Sequence, residues 1–175
     1  AMNPIEAEGR TSHTILYVED NPQNLELVQA ILNEQQNIKL LTASHAQMGI
    51  DLAITHQPNL ILMDINLPEM SGIEALEKLK LIDETRNIPV IAVSANAMKS
   101  DIDKAIEVGF IRYVVKPIDI AVFVKTIDEI LTDTEVGQNY GWVIENAKNV
   151  PVILDSEQNT ISFPPIINSA LTTVT

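Results

Sequence analysis

Four apolar runs in this chain each end in a residue suited to phosphoryl chemistry. Ile15-Leu16-Tyr17-Val18 leads into Glu19-Asp20, and Leu60-Ile61-Leu62-Met63 into Asp64. Val90-Ile91-Ala92-Val93 leads into Ser94, and Ile111 to Val115 into Lys116-Pro117. A carboxylate can attack phosphorus and hold the group as an aspartyl-phosphate; Asp64 is the candidate. Attack of one anion on another needs charge neutralisation, which Mg2+ supplies through oxygen ligands. Asp20 and Asp64 are the expected ligands, with Glu19 acting through water. The backbone carbonyl of Asn66 is a further one, since the Asn66-Leu67-Pro68 turn would fold back over the site. Lys116 would bring an ammonium to the phosphoryl oxygens and Ser94 a hydroxyl, so that transfer rests on positioning and electrostatics.

Each feature alone has a plainer reading. Asp64 or Ser94 could cap a helix, Glu19-Asp20 before Asn21-Pro22 could be turn chemistry, and Lys116 could be an exposed lysine. Their convergence at one edge of one sheet favours a site. Tyr113, three residues before Lys116, reads as a side chain that moves inward when Ser94 shifts toward a phosphate. The alternative is a half-buried aromatic with its hydroxyl in water. His13, His45 and His56 show no metal spacing and read as solvated. Met63 and Met98 read as packing residues, and Tyr140 and Trp142 as anchors of the tail.

Strands are expected at 14–18, 38–43, 59–63, 89–94 and 111–115. They are short, rich in Ile, Val and Leu, and weakly alternating, as strands buried on both faces of a parallel sheet are. Helical patterns fall near 22–35, 45–56, 72–84, 100–108 and 119–132. Pro22 suits a first helical turn, Ser100 before Asp101 and Asp103 reads as an N-cap with an acidic first turn, and Gly109 suits a helix end. Five β-α units make an α/β sandwich, and right-handed crossovers place the first strand beside the third. In such sheets ligands sit beyond the carboxyl ends of the strands, where Glu19, Asp20, Asp64, Ser94 and Lys116 lie.

The organisation expected is a leader at 1–12, a β-α domain at 13–132 and an extension at 133–175. In the extension, Val150 to Leu154 and Thr160 to Phe163 flank a polar loop and read as a β-hairpin. The formal net charge of −13 argues against binding a phosphate backbone, so no nucleic-acid partner is expected. No apolar stretch is long enough for a membrane span, and Ala1-Met2-Asn3-Pro4 lacks a signal-peptide pattern. Without cysteine there is neither a disulfide nor a thiolate metal site. Cytoplasmic residence is the simplest expectation.

Residues 13–132 resemble the receiver domain of two-component response regulators, in wording closest to receivers of hybrid sensor histidine kinases. The motifs are Tyr17-Val18-Glu19-Asp20-Asn21, Leu62 to Gly72 with Asp64-Ile65-Asn66-Leu67-Pro68 at its centre, Ser94 to Met98, and Tyr113 to Asp119. The resemblance implies a flavodoxin-like, doubly wound five-stranded parallel sheet in the order 2-1-3-4-5. It implies Asp64 as phosphoacceptor, Glu19 and Asp20 as the acid pair, Ser94 and Tyr113 as switch residues, Lys116 as the lysine, and Mg2+ as cofactor. The phosphoryl donor would be a phosphohistidine on a histidine kinase or histidine phosphotransfer protein. Catalysis would extend to the chain's own phosphorylation and slow autodephosphorylation. The output would be a changed surface around the last strand. Separately, the hairpin at 150–164 is expected to dock on its own receiver or on a second copy, the latter being self-association. Pro151 to Thr175 resembles a segment of the β subunit of archaeal-type phenylalanyl-tRNA synthetases; none of that enzyme's chemistry can be carried onto so short a piece.

Two other functions stay open from the residues. A phosphorylation-independent interaction module on the same fold would bind partners regardless of phosphate mimics. An aspartyl-nucleophile phosphatase commonly has a general acid two residues after the nucleophile, where this chain has Asn66.

Overall fold

The computed structural model describes residues 12–132 and 152–153. Strands and helices alternate: β1 (His13–Val18), α1 (Pro22–Asn33), β2 (Ile38–Ala43), α2 (Ala46–His56), β3 (Leu60–Asp64), α3 (Gly72–Leu81), β4 (Val90–Ser94), α4 (Lys99–Val108), β5 (Arg112–Val115), α5 (Ile120–Thr132) and β6 (Val152–Ile153). All strand pairs are parallel, in the order β2-β1-β3-β4-β5-β6. The first five strands have the expected 2-1-3-4-5 order of the flavodoxin-like fold.

Successive side chains of a strand point to opposite faces, and the core divides accordingly. Leu16, Val18, Ile61, Met63, Ala92 and Tyr113 pack on one face with α2, α3 and α4. Ile15, Tyr17, Leu60, Leu62, Ile91 and Val93 pack on the other with α1 and α5. Both faces of β3 and β4 are therefore buried along their whole length, which explains their unbroken apolar sequence.

The helix ends show how local chemistry sets these bounds. Asn21 caps α1 by accepting from the Gln23 amide, and Pro22 occupies its first turn. Ser71 and Glu74 form a reciprocal capping box at α3. Gly109 ends α4 at φ 127°, a backbone region costly for residues with a Cβ.

Several expectations need correction. Ser100 does not cap α4: the helix starts at Lys99, its N-cap position is Met98, and no side chain caps it. Asn96 organises this turn instead, accepting from the Met98 amide and donating to Asp101. Met98 is 64% exposed and is not a packing residue. Helix α3 stops at Leu81, short of residue 84. The Thr85 hydroxyl there donates to the Leu79 carbonyl at 2.7 Å, satisfying a helix-end acceptor. His45 is exposed but has a structural task, since its Nδ1 accepts from the Met48 amide and caps α2. Of the expected hairpin, β6 is the first strand, lying against β5. Its second strand, with Tyr140, Trp142 and residues 1–11, lies outside the described residues.

Candidate functional site

The carboxyl ends of β1, β3, β4 and the chain just beyond β5 bring the sequence candidates together. Carboxylate oxygens of Glu19, Asp20 and Asp64 lie within 4.8 Å of one another. Lys116 reaches this cluster from after β5, with its Nζ 2.6 Å from Glu19 Oε2 and 3.1 Å from Asp64 Oδ2. Three acids facing one ammonium leave two negative charges in excess. An all-oxygen donor set with that excess suits a hard dication. The residues present therefore fit Mg2+.

The surroundings distinguish the three acids. Glu19 is 1% exposed and its oxygens are largely occupied. They accept from the Tyr17 hydroxyl at 2.9 Å, the Asn24 amide nitrogen at 3.2 Å, the Asn21 backbone N–H at 3.1 Å and Lys116. Asp20 is exposed. Asp64 is 4% exposed, with Oδ1 accepting from the Asn66 backbone N–H at 2.8 Å. Burial pushes the Asp64 carboxyl above the usual carboxylate range. The Asn66 N–H and Lys116 pull it back only in part, and the Glu19 charge adds to the rise. Burial pushes Glu19 upward too, but the bonds from Lys116, the Asn21 amide and Tyr17 outweigh it and hold its carboxyl low. Burial alone would lower the Lys116 ammonium; its bond to Glu19 and the Asp64 charge raise it instead. Burial, then Glu19, drives the Tyr17 hydroxyl far up, so it stays a donor.

Chain geometry behind Asp64 is tight. The Gly72 N–H donates to the Ile65 carbonyl at 2.9 Å. A Cβ at Gly72 would lie 2.2 Å from the Asp64 carbonyl oxygen and 2.9 Å from Ile65 Cα, so the start of α3 passes directly behind the site. Ser94, 1% exposed, ends β4 beside β3, in the register that pairs Val93 with Asp64. Its Oγ accepts from the Asn96 backbone N–H at 3.1 Å, and the Asn66 side-chain amide lies 3.4 Å away. Tyr113 is fully buried and its hydroxyl donates to the Asn96 carbonyl at 2.8 Å. The alternative reading, a half-buried ring with its hydroxyl in water, does not hold. The Lys116-Pro117 bond, whose isomer the sequence left open, is cis.

Sequence reasoning missed Tyr17 and Asn24 as supports of Glu19. Tyr17 precedes Glu19 by two positions, the strand period, so their side chains share a face. That spacing was the available signal. Asn24 reaches Glu19 from the first turn of α1.

Residues 15–128 match the response regulator receiver domain. The chain belongs to the receiver family. It is 42% identical over 120 residues to the polar-differentiation response regulator DivK of Brucella anthropi, covering 69% of this chain and 97% of that relative. Among solved structures it resembles the receiver domain of a Pseudomonas aeruginosa sensor histidine kinase, crystallised with magnesium in its active-site cleft. That likeness has a TM-score of 0.64 at 26% identity and covers 70% of this chain and 99% of that one. A CheY-like receiver from Methanospirillum hungatei gives a TM-score of 0.65 at 27% identity, over 71% and 98% of the two chains. The receiver domain is the phosphoacceptor switch of two-component signalling. Such domains bind Mg2+ in an acidic site and work with histidine kinases or phosphotransfer proteins; this receiver carries the acidic cluster. Among the described residues, no helix is long and apolar enough to cross a membrane.

Proposed function

We propose that Asp64 is the phosphoacceptor of this receiver. One observation carries the reading: Asp64 is buried at the end of β3, in one carboxylate cluster with Glu19 and Asp20 and 3.1 Å from Lys116. Asp20, Asp64 and the Asn66 backbone carbonyl would hold Mg2+. Glu19, with its oxygens engaged by four donors, would act through water. Bound there, Mg2+ neutralises charge on the phosphoryl oxygens.

The chain's own residues do the rest. The Asp64 carboxylate forms a bond to phosphorus as the P–N bond of a phosphohistidine breaks, and the departing imidazole keeps the electron pair. Lys116 turns its ammonium from the acids to a phosphoryl oxygen, and the Ser94 hydroxyl donates to another. Tyr113, anchored to the loop after Ser94, transmits that shift as the switch aromatic. Asn66 supplies no general acid, so autodephosphorylation is slow. The donor is a histidine kinase or histidine phosphotransfer protein, and the setting is cytoplasmic. The working unit is 13–132, with 1–12 a leader and 133–175 an extension.

The test is mass spectrometry after incubation with Mg2+ and acetyl phosphate. One phosphate should appear on the wild type and none on Asp64→Asn; unchanged labelling of the variant would remove the assignment.

A further inference from the structure

The two edges of the sheet differ. Edge strand β2 is only partly buried and carries an exposed lysine, Lys39, a charge that discourages pairing with another chain. Strand β5 reads Arg-Tyr-Val-Val, with Tyr113, Val114 and Val115 all buried. Apart from the half-buried Arg112 at its start, this edge is apolar and buried, and such an edge accepts further strands readily. Here it is covered: β6 runs parallel to it, with Tyr113 opposite Val152 and Val114 opposite Ile153.

Topology makes this cover natural for the same chain. A parallel neighbour must enter from the end of the sheet where β5 itself began, which requires a crossover. Helix α5, about 20 Å long, follows β5 and provides that crossover. Residues 133–151 remain to connect α5 to β6, and a chain of that length can span up to ~65 Å, ample to reach the start of β6. The edge is also prepared for a strand: burial of the Tyr113 ring and its bond to the Asn96 carbonyl hold the β5 backbone in place.

We propose that the outer edge of β5 is a strand-binding surface whose resident occupant is this chain's own Val152–Ile153 segment, which closes the edge against a second copy of the chain. The surface takes a short, aliphatic, parallel strand by main-chain hydrogen bonds. The proposal is independent of the phosphorylation reading.

Hydrogen exchange and sedimentation on the full chain test it. In the wild type, the amides of Ile153 and Tyr113 should be protected and the chain monomeric at micromolar concentration. The double substitution Val152→Pro and Ile153→Pro removes two main-chain donors. It should raise exchange at Tyr113 about tenfold or more, leave Ile15 and Leu62 unchanged, and produce concentration-dependent self-association. Residues 152–153 fall outside the stretch that matches the receiver family, so the core should fold in the variant. The wild-type measurement stands whether or not it does. An unprotected Ile153 amide in the wild type would overturn the proposal, as would unchanged exchange at Tyr113 in the variant. A wild-type dimer that the prolines dissociate would place the strand in trans and overturn the assignment within one chain.

Discussion

Lys116 and Glu19 lie far apart in sequence, yet the Lys116 ammonium sits 2.6 Å from a Glu19 oxygen that is almost wholly out of water. The lysine thus compensates the buried acids of the site and, in the proposed reaction, is the group that turns to the phosphate.

Removing that ammonium should be costly. Lys116→Met leaves Glu19 and Asp64 facing each other without a cation, and breaking a buried pair from one side costs about 3 kcal/mol. Urea unfolding should show this loss in metal-free buffer, and added Mg2+ should restore part of it. An unaltered midpoint would mean that the pair carries no net charge compensation.

Tyr17→Phe deletes one donor to Glu19 while keeping the ring in the core. The expected loss is about 1–2 kcal/mol, as for a hydrogen bond to a charged group. The Glu19 carboxyl should titrate at higher pH in the variant, since one bond favouring its charged form is gone. Carboxyl carbon NMR across a pH series reads this directly; an unmoved titration would show that the hydroxyl does not hold the charge.

Mg2+ binding should depend on pH in a set direction. Binding requires ionised Asp64, and burial raises its pKa above the ordinary aspartate value. Protons therefore compete up to a higher pH than they would at a free aspartate. In metal-free protein the raised pKa means stability that is present below the unfolded pKa and lost as pH rises through the folded one. The Mg2+-induced rise in Tm should accordingly grow with pH across that range and then level off. A rise in Tm that is flat with pH would contradict Asp64 as a ligand.

Gly72→Ala places a methyl group against the Asp64 carbonyl and Ile65 Cα. Both neighbours are backbone, so the start of α3 must shift. A loss of about 2–3 kcal/mol is expected, together with weaker Mg2+ binding because the turn after Asp64 moves. Calorimetry in both states separates the two effects; wild-type values for both would mean that the chain yields there freely.

The fold was largely legible because its signals are local. Buried parallel strands leave unbroken Ile/Val/Leu runs, and each run here ends where the site begins. Errors arose where several residues compete for one local role. Ser100 has the chemistry of a cap, but the Asn96 turn puts the cap position two residues earlier, at Met98. Met98 is apolar yet exposed, since apolarity alone does not say which way a loop residue faces.

The sequence by itself determined which chemistry is available: acids, a hydroxyl and an ammonium, each placed by strand periodicity at the same end of a parallel sheet. Only the tertiary structure decided how these groups share charge. Glu19 is held low and Asp64 raised, though both are buried acids near one lysine, because Glu19 collects donors from β1, α1 and beyond β5. The number of donors around a buried carboxylate depends on contacts between segments distant in sequence. No local pattern records those contacts, and burial makes each of them weigh more than it would in water.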